Sequence, residues 1–231
     1  MQMLRPLAVA ALVSTAALAQ TTGLPDMQEI AQGLGVKCDY CHAGMGGQRP
    51  AAAAAPDPQA GPSHIQIAKA MIAMTRDLNE KVQAATGKPP NQTTRVTCMT
   101  CHRGIAIPGQ LSDILAKTAI DKGPEAAVAQ YRELRAQYYG RQSYDFGEET
   151  LLAASERVVR AKPPASIPLL RLNLEFYPKS VRSYTQIAFA YTRGLDDESA
   201  ITALQQALEI EPENGAVRGQ LEQLKSYRRR K

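Results

Sequence analysis

The chain has 231 residues, of which 44% are hydrophobic, and its formal net charge is +5. This composition suits one or two folded domains and excludes a chain that is disordered throughout. The charge excess is small, and part of it lies in the terminal run Arg228–Lys231. Because the sequence has no basic stripe with interleaved aromatic residues, we expect no nucleic-acid partner.

The first residues are typical of an export signal. Arg5 precedes an apolar stretch that ends at Ala17-Leu18-Ala19, which resembles the A-x-A sites at which such signals are cut. We therefore expect residues 1–19 to be a cleaved signal peptide and the mature protein to be periplasmic, with an uncleaved anchor as the alternative. No later segment reaches the roughly 18 successive apolar residues of a membrane span, so we expect no transmembrane segment in the mature chain.

All four cysteines fall in two copies of one pattern, CDYCH at residues 38–42 and CMTCH at residues 98–102. C-x-x-C-H is the motif of c-type haem attachment, in which each thiol bonds to one vinyl group and the histidine ligates the iron. The pattern predicts two covalently attached haem c groups. The attachment and proximal-ligand residues are Cys38, Cys41, His42, Cys98, Cys101 and His102.

Two other uses of C-x-x-C pairs are open on spacing alone. A redox-active dithiol needs no following histidine and usually occurs once in a chain. A zinc site could be built from both pairs. Because every cysteine of a chain with an export signal lies in one of two complete C-x-x-C-H motifs, the sequence favours haem attachment over both alternatives.

The sixth iron ligand decides the function class, because five-coordinate haem binds small molecules or peroxide and six-coordinate haem mostly carries electrons. An internal repeat selects the candidates among the methionines. The same offsets of 0, 3 and 7 residues occur in two sets, which are Met27, Ile30, Leu34 and Met71, Met74, Leu78. These offsets place each set on one face of a helix ahead of an attachment motif.

In this alignment Met71 takes the place of Met27, and Met74 takes the place of Ile30, which cannot ligate iron. We therefore predict Met27 as the ligand of the first haem iron and Met71 as that of the second, with Met74 as the alternative to Met71. Methionines at helical spacing are also ordinary core residues. His64 is predicted to be exposed at the start of the second helix, beside the cap Ser63.

Three segments together resemble the cytochrome subunit of photosynthetic reaction centres and its shorter two-haem relatives. The segments are 34–42 (LGVKCDYCH, with Met27 ahead of it), 70–79 (AMIAMTRDLN) and 96–104 (VTCMTCHRG), so the resemblance covers roughly Leu24 to Pro108. It implies a distal methionine on the helix ahead of each motif, and the first methionine of the paired M-x-x-M as the ligand.

This chain departs from that family in having two attachment motifs where the photosynthetic subunit has four. Residues 44–61 contain five successive alanines among proline and glycine, which predicts a surface loop. Nothing in the sequence implies photosynthesis.

The composition changes near Leu111, because eleven of the twelve Phe and Tyr residues lie between Tyr131 and Tyr227. From Val181, apolar residues recur as in a 34-residue helix-turn-helix unit, which resembles a tetratricopeptide repeat (TPR). A weaker copy covers residues 147–180, and a third helical pair is predicted between Ile114 and Tyr139 with an uncertain register.

These features predict an all-α protein with a signal peptide (1–19), a di-haem cytochrome c domain (20–111) and a TPR-like helical-hairpin domain (112–231). The predicted function is electron transfer through two His/Met-ligated haems, with redox partner proteins and a further protein contact through the TPR-like region. The alternatives are a di-haem peroxidase and a TPR interaction or assembly module joined to a cytochrome.

Overall fold

The computed structural model describes residues 26–42 and 63–229. The predicted signal peptide and the predicted loop at residues 44–61 lie outside these ranges. Within them the chain is helical and contains no strand, which confirms the predicted all-α class. The helices are α1 (Met27–Leu34), α2 (Asp39–His42), α3 (His64–Thr86), α4 (Cys98–His102), α5 (Leu111–Lys122), α6 (Pro124–Tyr138), α7 (Glu148–Ala161), α8 (Ile167–Phe176), α9 (Val181–Arg193), α10 (Asp197–Ile210) and α11 (Gly215–Arg228).

Two compact units divide the described residues. The first takes residues 26–30, 38–42 and 63–95, and the second takes residues 31–37 and 96–229. The first attachment motif therefore lies in the first unit, and the second motif lies in the unit that contains α5–α11. None of the helices in the described ranges combines the length and the apolar character that a membrane crossing requires.

The first unit is dominated by the 23-residue helix α3. Its start is fixed by a capping box, in which the Ser63 hydroxyl accepts from the Gln66 amide and the Gln66 side chain accepts from the Ser63 amide. Gly87 ends the helix in a left-handed conformation with φ 62°. No residue of α3 is buried, so this helix contributes no side chain to a packed core among the described residues.

The second unit is built around α7. Leu151 belongs to a core cluster with residues of α5, α6 and α8, whereas its neighbour Leu152 belongs to a second cluster with residues of α8, α9, α10 and α11. Successive residues of a helix point about 100° apart, which allows α7 to contribute to both clusters. Tyr131 is the largest fully buried side chain of the first cluster.

The helix pair predicted from Val181 is present as α9 and α10. The inward positions of the predicted repeat, among them Ile187, Ala200 and Leu204, are buried in the second cluster. The weaker copy corresponds to α7 and α8, and the uncertain third pair corresponds to α5 and α6. Asn173 of α8 donates to the Ser183 hydroxyl of α9 at 2.8 Å, a buried bond between successive pairs. The assignment of these pairs to TPR repeats stays a prediction.

Candidate haem-attachment site

The first attachment motif forms a single helical turn. The His42 amide donates to the Cys38 carbonyl at 3.0 Å, so the thiols of Cys38 and Cys41 lie on one side of α2. Cys38 and His42 are exposed, and Cys41 is half-buried. The backbone therefore presents both thiols and the imidazole at the surface of this helix.

Tyr40, inside that motif, is held against the start of α3. Its ring stacks on His64 with centroids 4.2 Å apart and planes 7° from parallel, and the His64 Nδ1 lies 2.8 Å from the Tyr40 carbonyl oxygen. His64 is exposed next to its cap Ser63, as predicted. The sequence does not predict the contact with Tyr40, since the two residues are 24 positions apart and neither spacing nor composition links them.

The second attachment motif forms α4. The Thr97 amide donates to the Thr100 hydroxyl at 3.0 Å, which fixes the start of the helix. Cys98 and His102 are half-buried, and Cys101 is exposed beside a cavity of about 520 Å³. Arg103, Ser143 and other residues of the second unit also line this cavity.

The ring of His102 is oriented by the backbone that follows it. Its Nδ1 lies 3.1 Å from the carbonyl oxygen of Ile105. Because a carbonyl oxygen can only accept, Nδ1 must carry the proton in this bond, which leaves the lone pair on Nε2. A neutral imidazole with Nε2 available is the form that ligates iron, so the donor set of residues 98–102 fits a c-type haem.

The end of α1 and the residue that follows it pack closely on the second motif. The Gly104 amide donates to the Gly33 carbonyl at 2.9 Å. A Cβ at Gly33 would lie 2.7 Å from the Cβ of Cys98, and a Cβ at Gly35 would lie 1.9 Å from the Gly104 carbonyl oxygen. Only glycine allows these approaches, and no pattern in the sequence indicates this role for Gly33 or Gly35.

The predicted distal methionines lie on exposed helix faces. Met27 is 56% exposed, Met71 40% and Met74 46%, and Met71 and Met74 share one apolar stripe of α3 with Ile67 and Leu78. Both methionines of this pair therefore stay candidates.

Residues of α1 and α3 that the sequence repeat aligns differ in how far they are buried. Ile30, which the alignment matches with Met74, is 8% exposed, whereas Met74 is 46% exposed.

The four cysteines are present as free thiols. No disulfide joins the four cysteines, all of which lie in the described ranges. Across residues 26–42 and 63–229, no three His, Cys, Asp or Glu side chains come together in a group that could hold a metal ion.

Each C-x-x-C-H motif forms a helical turn, which is typical of c-type haem attachment. Residues 61–169 match the family model described as the photosynthetic reaction centre cytochrome C subunit, which confirms the resemblance seen in the sequence. The similarity implies a haem-binding electron-transfer protein.

The matched segment covers a little under half of the chain. It contains the M-x-x-M pair and the second attachment motif and extends into α8, beyond Pro108, where the resemblance seen in the sequence ends. It does not contain Met27 or the first attachment motif. No curated protein matches the chain.

Proposed function

We propose that the protein is a periplasmic di-haem c-type cytochrome that carries single electrons between partner proteins. The observation that carries this proposal is the second attachment motif, where α4 presents two thiols and His102 is held with Nε2 available. Bound haem supplies an iron that changes between the ferric and ferrous states by one electron. The protein contributes covalent attachment, the iron ligands, the local environment of the haem and the surfaces that partner proteins contact.

The attachment residues have separate roles. Cys98 and Cys101 form the two thioether bonds at the second motif, and His102 supplies the proximal nitrogen. At the first motif Cys38 and Cys41 do the same with His42, and the stacked pair Tyr40–His64 holds that turn in place. Two anchoring bonds and one ligand from five successive residues fix the position of each macrocycle relative to its helix.

The apolar stripe of α3 supports methionine as the distal ligand. Its four members are between 36% and 46% exposed, and nothing among the described residues buries them. Covering such side chains with a flat apolar group contributes roughly 0.5–1.4 kcal/mol each, given about 1.5–3 kcal/mol for a fully buried side chain. We assign Met71 to the second haem, with Met74 as the alternative, and Met27 to the first haem.

The test is a haem count together with ligand substitution. Protein matured with haem-attachment machinery is assayed as its pyridine haemochrome, which should give two haems per chain. In the oxidised spectrum, Met27→Ala and Met71→Ala should each remove half of the weak red band of Met–iron bonding. Met99→Ala is the matched control, because Met99 is 45% exposed and lies inside the second motif rather than ahead of it.

Each possible result has a defined meaning. One haem per chain would contradict the di-haem proposal. Loss of the band in Met74→Ala but not in Met71→Ala would move the ligand assignment to Met74. A high-spin haem in the wild-type protein, with peroxide-dependent turnover, would replace electron transfer by the peroxidase alternative.

The helical hairpins of the second unit are proposed to contact a redox partner protein. A groove of about 930 Å³ lies along α7–α11, and its lining includes the exposed apolar residues Phe189, Leu195 and Tyr227. Exposed apolar clusters on a polar surface are typical of protein-binding sites. The full-length double variant Phe189→Ser/Tyr227→Ser should slow electron transfer to the natural partner without changing either haem spectrum. Equal rates for the variant and the wild type would refute the docking role.

The periplasmic location rests on the N-terminal apolar stretch and on the attachment motifs. Cell fractionation should recover the haem protein in the periplasm, shortened by the first 19 residues. Recovery in the membrane fraction with an intact N-terminus would favour the uncleaved anchor.

A further inference from the structure

The turn that follows α4 has an unfavourable backbone conformation. Arg103 has φ 50° and ψ 35°, and Gly104 has φ 81°, so two successive residues are left-handed. This conformation costs a residue with a Cβ about 1–2 kcal/mol. Such a residue persists there only where its surroundings fix it.

Two hydrogen bonds from distant parts of the second unit fix this turn. The Ser143 hydroxyl donates to the Arg103 carbonyl at 2.7 Å, and the Gly104 amide donates to the Gly33 carbonyl at 2.9 Å. Ser143 is buried, with 8% exposure, and must be the donor because its partner is a carbonyl oxygen.

The segment that carries Ser143 is itself firmly placed between α6 and α7. The ring of Tyr144 packs edge-on against Tyr138 of α6 with centroids 5.4 Å apart. The Thr150 hydroxyl of α7 donates to the Asp145 carbonyl at 2.8 Å. Ser143 therefore links the turn after α4 to the packed helices of the second unit.

The same turn carries the acceptor that orients the proximal histidine. The Ile105 amide donates to the His102 carbonyl at 3.0 Å, and the His102 Nδ1 in turn meets the Ile105 carbonyl at 3.1 Å. Ile105 is buried and lies two residues beyond the carbonyl that Ser143 holds. A shift of the Arg103 carbonyl would therefore move the acceptor of the His102 hydrogen bond.

We propose that Ser143 is a positioning residue for His102, which acts through the Arg103–Ile105 turn and lowers the reduction potential of the haem at the second motif. This inference rests on the proposed function. A firm Nδ1–H···O bond makes the imidazole a stronger electron donor, which favours ferric iron. Loss of the Ser143 tether loosens that bond and raises the potential of this haem alone.

The experiment compares Ser143→Ala with the wild-type holoprotein in a spectroscopic redox titration. The two redox steps are assigned to the two haems through the shifted ring protons of His42 and His102. Ser155→Ala is the matched control, because the buried Ser155 hydroxyl also donates to a carbonyl, that of Leu151, at 2.8 Å within α7. A second measurement follows the exchange of the His102 Nδ1 proton with solvent.

The expected result is an upward shift of the second haem's potential in Ser143→Ala, with the first haem unmoved and faster exchange of the His102 proton. Ser155→Ala should move neither potential. Unchanged potentials and exchange in Ser143→Ala, or equal shifts of both haems, would overturn the positioning role while the proposed function stands. Absence of haem from the second motif in the wild-type protein would overturn both.

Discussion

Replacement of Gly35 by alanine tests whether the close packing on the second attachment motif holds this part of the fold together. Gly35 ends α1 with φ 65°, and its amide and that of Val36 donate to the carbonyls of Gln32 and Ala31, the two bonds of a Schellman motif. An alanine here has both a left-handed backbone and a Cβ that would lie 1.9 Å from the Gly104 carbonyl oxygen.

Two effects lower the free energy of unfolding of Gly35→Ala. The left-handed conformation costs alanine about 1 kcal/mol net, since restriction of the unfolded chain offsets part of the strain. Relief of the contact must displace Gly104, and the loss of its hydrogen bond to Gly33 adds about 1 kcal/mol, or up to about 3 kcal/mol if the amide stays unsatisfied. We therefore expect a loss of about 2–4 kcal/mol in the free energy of unfolding.

Gly140→Ala is the matched control within the same unit. Gly140 has φ 79°, and a Cβ added there would have no neighbouring atom within 4 Å, so alanine carries the backbone cost without the contact. Denaturant unfolding followed by circular dichroism should give a loss of about 1 kcal/mol for this control. A loss in Gly35→Ala no larger than that in Gly140→Ala would refute the close packing between Gly35 and Gly104.

Three further predictions concern other parts of the fold. The hydroxyl and amide of Ser199 hold the pKa of Asp196, the cap of α10, below its usual 3.8. The ionised Asp196 side chain therefore stabilises the folded protein at neutral pH, and this contribution is lost as the pH falls below 3.8. The difference in Tm between wild type and Asp196→Ala should therefore narrow below pH 3.8, and a constant difference from neutral pH down through that range would contradict the linkage. Tyr131→Ala should cost about 3–5 kcal/mol in denaturant unfolding, because this ring is fully buried, and Tyr131→Phe should cost far less. His64→Ala should increase amide exchange in α2, because it removes the ring that stacks on Tyr40. His64→Phe keeps an aromatic ring at this position and should preserve much of the protection from exchange. Equal exchange rates in His64→Ala and wild type would argue against the contact.

Much of the fold could be predicted because its signals are local. The Ser63 cap depends on residues within one helical turn, and the 34-residue unit from Val181 depends on spacings within two successive helices. Each corresponds to an observed element. The C-x-x-C-H motifs are local for the same reason, since one helical turn brings their three donors together.

The contacts that join distant segments could not be predicted in this way. The bond from Gly104 to Gly33 and the bond from Ser143 to Arg103 connect residues 71 and 40 positions apart. Glycine and serine occur at many places in the chain, so their identity alone does not select these partners. The difference in burial between Ile30 and Met74 has the same origin, because it depends on what packs against each helix and not on the register within it.

We expect the two units to differ in how much their stability depends on haem. The second unit contains both core clusters, whereas α3 in the first unit has no buried residue and exposes its apolar stripe. In proteins most of the stability of a helix comes from the packing of its apolar face rather than from helix propensity. Replacement of all four cysteines by alanine prevents covalent attachment, so amide exchange should become fast in residues 64–86 and stay slow in the cores of α7 and α10. Equal protection of α3 with and without haem would mean that a protein surface, rather than the macrocycle, covers its apolar stripe.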